Sequence, residues 1–89
     1  GPNNRGAGMI SLDDLRSDLL PELESRYGEI HSRVESSGKR LFLKFRTEEN
    51  ALCGLAAINE YIDNVGVPIR AISSTEPRAV ILIGEDEFL

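Results

Sequence analysis

The stretch that decides the fold runs from Gly28 to Ser73, GEIHSRVESSGKRLFLKFRTEENALCGLAAINEYIDNVGVPIRAIS. Its periodicity changes twice. From Glu29 to Glu35 it alternates with period two, setting Ile30, Ser32 and Val34 against His31, Arg33 and Glu35. Ser36-Ser37-Gly38-Lys39 supplies turn residues, and Arg40 to Arg46 alternates again, with Leu41, Leu43 and Phe45 opposite Arg40, Phe42 and Lys44. That pattern predicts a hairpin. From Thr47 onward the apolar residues take helical spacing: Ala51, Leu55, Ile58 and Ile62 form one stripe, Thr47 is a plausible N-cap, and Glu48 and Glu49 suit the positive end of the helix dipole. Gly54 lies in this helix, where glycine costs about 1 kcal/mol relative to alanine, so close packing against the sheet is its expected reason. Asn64-Val65-Gly66 reads as a C-cap with Pro68 just beyond, and Val67–Ser73 as the next strand.

Working outward, Leu12, Leu15, Leu19 and Leu23 recur at spacings of three and four, one face of an amphipathic helix. Ser11 with Asp14 has capping-box character, and Ile10 could act as a hydrophobic staple. Pro21 predicts either a kink or the start of a second short helix, PELESRY. Residues 1–8 read as a tag remnant or flexible leader, and residues 9–89 as a single domain with a short acidic tail. On the other side, Ser74-Thr75-Glu76-Pro77 joins the strand at Ile69 to a last strand, Arg78–Gly84. Ala79-Val80-Ile81-Leu82-Ile83 is apolar on both faces, as a central strand or one covered by a partner would be. The order α-β-β-α-β-β implies an α+β two-layer sandwich, with a four-stranded antiparallel sheet, both helices on one face and the other face open.

Composition narrows the function. A length of 89 residues allows one small two-layer core, and 40% hydrophobic content with regular periodicity argues against disorder. A single cysteine excludes an internal disulfide framework and a cysteine-based zinc site, and it fits a reducing, intracellular compartment, cytoplasmic or nuclear. No apolar run approaches the roughly 18 residues needed to cross a bilayer. The net charge of -5 disfavours nucleic-acid binding by the whole surface. Yet Arg33, Lys39, Arg40, Lys44 and Arg46 place half of the 10 basic residues within one short segment. Asp13-Asp14 and Glu48-Glu49 are explained as helix-start carboxylates rather than as an acid–base pair. His31 lacks a second ligand at metal-binding spacing, and Cys53 is expected to be a small buried residue of its helix. No catalytic residue, metal site or cofactor is expected.

The run from Leu12 through Tyr27-Gly28-Glu29-Ile30 resembles the first helix of an RNA-recognition motif and its exit into the second strand. Lys39-Arg40-Leu41-Phe42-Leu43-Lys44-Phe45 is similar to that family's longer strand signature, and Thr47-Glu48-Glu49-Asn50-Ala51 to the opening of its second helix. Asn59 with Pro68-Ile69-Arg70-Ala71 resembles the approach to its last strand. The resemblance covers about sixty residues and implies a ferredoxin-like sheet. Two positions depart from the family: no strand precedes Ser11, and Arg40 stands at the earlier of two base-stacking positions, leaving only Phe42. Ala79–Gly84 could fill the place of the missing strand, as in a circular permutation, with Ile81 where the family offers an aromatic. The element order also looks like that of pterin carbinolamine dehydratases, but Gly66-Val67-Pro68 lacks the paired histidines their chemistry requires, so that resemblance implies an inactive domain.

The candidate binding face therefore comprises Phe42, Ile72, Ile81 and Ile83 with Arg33, Arg40, Lys44 and Arg70. So many apolar side chains on an open sheet favour a protein partner or a homodimer, within an RNA-processing protein if the resemblance extends that far. The rival expectation is a weak single-stranded RNA site that stacks bases on Phe42 and meets phosphates with the basic residues. A small-molecule substrate and a membrane are not expected partners.

Overall fold

A computed structural model describes residues 11–36 and 38–84. The expected leader, Ile10, Ser37 and the acidic tail lie outside the described residues. The elements are α1 (Leu12–Tyr27), β1 (His31–Glu35), β2 (Arg40–Lys44), α2 (Glu48–Val65), β3 (Ile69–Ser73) and β4 (Ala79–Gly84). The four strands form one antiparallel sheet in the order β1-β2-β4-β3. The sheet is thus of the expected class, and the strand that is apolar on both faces lies inside it.

The caps are local chemistry. Asp14 donates its N–H to the Ser11 hydroxyl at 3.1 Å, and Asn50 donates to the Thr47 hydroxyl at 3.0 Å, so each helix begins with one orphan donor satisfied. Gly66 closes α2 in the left-handed conformation (φ 82), which a residue without Cβ adopts freely. Pro21 does not start a second helix; α1 runs on through it. Its exposed ring leaves the buried stripe of Leu12, Leu15, Leu19 and Leu23 unbroken.

Both helices pack on one face. Leu15, Leu41, Leu43, Phe45, Ile58, Ile62, Val80 and Leu82 are the most deeply buried side chains of the core between them and the sheet. Gly54 has the expected explanation: a Cβ there would lie 2.5 Å from Cζ of Phe45. Cys53 is a correction. It is exposed, because it sits one residue before Gly54 and so about 100° around α2 from the inward stripe of Ala51, Gly54, Ile58 and Ile62. Strands β1 and β3 each start two residues later than the alternation suggested. Ile30 is still buried, and its N–H is taken by the Glu24 carboxylate at 3.1 Å. Tyr27 meets Phe45 edge-on at 5.9 Å, tying the end of α1 to the chain leaving β2. The Asn59 side chain reaches from α2 to β3, accepting from the Ala71 N–H at 2.9 Å and donating to its carbonyl at 3.0 Å.

Candidate binding face of the sheet

Alternation carries every second strand residue away from the helices. Leu41, Leu43, Ala71, Val80 and Leu82 belong to the core; their neighbours do not. The pairing register then builds rows across the opposite face. Arg33 lies beside Phe42, Phe42 beside Ile81, and Ile81 beside Ile72. The adjacent row is Glu35, Arg40, Ile83 and Arg70, and on the other side His31 stands beside Lys44 and Lys44 beside Ala79. All eight residues proposed from the sequence therefore share one face.

Their exposure differs from what an open stacking platform requires. Phe42 is only 4% exposed, although it is outside the main core cluster. The Arg33 guanidinium lies over its ring, 4.1 Å from the centroid, in a cation–π contact. Ile83 is buried, and Ile72 and Ile81 are half-buried. The expectation of a ring presented to solvent is corrected for a physical reason: on a four-stranded sheet, a long cationic side chain from the neighbouring strand can lie across an aromatic and exclude water from it.

The cations are themselves engaged. Arg33 pairs with Glu35 on its own strand and approaches Glu76 at 3.9 Å. Lys44 reaches the other oxygen of Glu76 at 3.4 Å, and Arg70 reaches Asp63 of α2 at 3.3 Å. Glu35 was legible in the sequence, since it is two residues from Arg33 on the same strand face. Glu76 was not. It comes from the turn between β3 and β4, 32 residues from Lys44, and only the antiparallel placement of β4 beside β2 brings it there.

Near the Lys44 end of the face, Arg78 adopts a left-handed backbone (φ 63), uncommon for a residue with a side chain. Three bonds hold it: its N–H donates to the Glu48 carboxylate at 2.8 Å, its carbonyl accepts from Phe45 N–H at 2.6 Å, and its guanidinium donates to the Arg46 carbonyl at 3.3 Å. Among the described residues no group of His, Cys, Asp or Glu is placed to hold a metal ion, and no helix is long and apolar enough to cross a membrane. No protein-family model, curated protein or solved structure matches the chain.

Proposed function

We propose that the domain is a non-catalytic binding module of RNA-recognition-motif type that engages a partner protein, or a second copy of itself, through its open sheet face. The observation that carries this reading is the half-buried pair Ile81–Ile72, beside the shielded ring of Phe42, inside a rim formed by Arg33, Lys44 and Arg70. An apolar floor inside a charged rim is the anatomy of a protein interface. Single-stranded RNA instead requires an accessible aromatic and cations able to meet phosphates. Here the guanidinium of Arg33 occupies the ring face on which a base would have to stack. The position of β4 between β2 and β3 supports a permuted arrangement in which the last strand fills the place of the family's first. The single cysteine, Cys53, is free and exposed, which suits a reducing intracellular compartment.

The test is sedimentation of the wild type and of Ile81→Glu, beside a titration with short single-stranded RNA. The expected result is association in the wild type, its loss in a folded Ile81→Glu variant, and no RNA binding. A monomer that binds short RNA at micromolar concentration or tighter would replace this reading with the nucleic-acid one.

A further inference from the structure

The two layers carry opposite charge. Helix α1 has five carboxylates (Asp13, Asp14, Asp18, Glu22, Glu24) against Arg16 and Arg26, and α2 has four (Glu48, Glu49, Glu60, Asp63) with no lysine or arginine. The helical layer thus holds nine acidic residues against two basic ones, all nine exposed. The strands and their connections, residues 28–47 and 66–84, reverse the balance. They hold seven lysines and arginines against Glu29, Glu35 and Glu76. The helices thus carry an excess of seven negative charges and the strands with their connections four positive, and on the sheet face itself Arg33, Arg40, Lys44 and Arg70 stand against Glu35 and Glu76.

The acidic side also has an apolar seat. Between the helices lies an open groove of about 180 Å³, lined by Leu19, Leu23, Ala57 and Tyr61, with Glu22 and Glu60 outnumbering the one cation there, Arg26, which lies 4.0 Å from Glu22. On the same helical layer Leu52 is 56% exposed and Val65 49%. The sheet face is the complement of this surface, since its apolar row is flanked by Arg33, Lys44 and Arg70.

We infer that the partner of the sheet face is the helical layer of a second copy of this chain, giving a head-to-tail assembly. This rests on the reading of the sheet face as a protein-binding surface. Charge decides the orientation. A two-fold contact of sheet on sheet sets the positive excess of one copy against that of the other, whereas sheet on helices sets opposite excesses together. A sheet of four short strands offers less than the roughly 800 Å² per partner of a standard interface, so the contact is weak and depends on that attraction. A head-to-tail contact leaves one free face of each kind, so assembly continues past two copies until it closes as a ring or extends as a filament.

The experiment is analytical sedimentation of the whole chain over about 10 µM to 1 mM, the range of weak interfaces, at about 50 and 500 mM salt, where screening differs strongly. Three proteins are compared: wild type, Ile81→Glu on the sheet face, and Glu22→Lys with Glu60→Lys on the helical face. Circular dichroism checks folding, and Glu22→Gln with Glu60→Gln replaces the lysine pair if that pair unfolds. The wild type should grow beyond two copies as concentration rises and associate roughly tenfold more weakly at the higher salt. Each variant alone should be monomeric. An equimolar mixture of the two should form a dimer that grows no further, because each supplies the one face the other lacks. If the helical-face variant associates like the wild type, or the wild type halts at a two-fold dimer, the head-to-tail inference falls while the sheet-face reading stands. A wild type that is monomeric throughout overturns the head-to-tail inference and leaves the sheet face to a different partner protein.

Discussion

Replacing Gly54 with alanine sets two effects of known size against each other. On an exposed helix the change would stabilise by about 1 kcal/mol, because alanine restricts the unfolded chain more and favours the helix. In this protein the new Cβ would lie 2.5 Å from Cζ and 2.6 Å from Cε2 of Phe45. Carbon atoms in contact sit at about 3.5–4.0 Å, so the ring must retreat by about 1 Å. It has little space to do so, being 2% exposed and seated edge-on against Tyr27. Overpacking of this kind costs about 1–3 kcal/mol. The clash should win, and Gly54→Ala should destabilise the domain by about 1–2 kcal/mol, lowering the melting temperature by about 4–8 °C per kcal/mol. Urea unfolding followed by circular dichroism measures it, with an unchanged m-value expected. Phe45→Leu removes the atoms that clash, so in the double variant the alanine should cost less or become favourable, a coupling of about 1 kcal/mol or more. A Gly54→Ala protein more stable than wild type by the full helix-propensity gain would refute the packing argument.

Three further outcomes follow from burial and backbone chemistry. Leu43→Ala should lose about 2–5 kcal/mol in equilibrium unfolding, and Phe42→Ala about 3–5, because both side chains are shut away from water even though they face opposite sides of the sheet. A cheap Phe42→Ala would mean that the ring is accessible after all. Pro21→Ala should stabilise α1 by about 1–3 kcal/mol, since proline inside a helix removes a backbone bond and this ring is exposed; thermal unfolding would register the gain. Arg33→Met should cost no more than about 0.5–1 kcal/mol, the size of a cation–π contact at an exposed site, because the methionine still shields the ring. A large loss in the same urea titration would reveal that Arg33 holds the sheet together.

What the sequence makes legible is whatever depends on neighbours in the chain. The caps at Ser11 and Thr47, the leucine stripe of α1 and the alternation of β2 are short-range patterns, and each is realised. The glycine at position 54 could be read as a close approach, though not as an approach to Phe45 in particular. The face of each strand was legible for the same reason, since period two fixes it. Exposure was not. Whether Phe42 meets water depends on Arg33, which lies opposite it only once the hairpin register is set, and on ion pairs with Glu76 from a distant turn. Cys53 shows the limit inside a helix: a step of one residue turns a side chain by about 100°, enough to carry it from core to surface.

The link from Asn59 to Ala71 bears on how this sheet can grow. A strand at the margin of a sheet offers its outward N–H and C=O groups as a template for any extended chain, which is how strand addition and fibril growth begin. On β3 the central pair of such groups is already taken, by an amide side chain that imitates a fifth strand. The Ala71 amide should accordingly exchange its hydrogen slowly for a residue at a margin. Recruitment of an outside strand is left to β1, where His31, Arg33 and Glu35 put three charged or polar side chains on one face. The β3 margin is thus capped at its centre by a helix side chain, and the β1 margin carries charge, two devices that oppose edge-to-edge stacking.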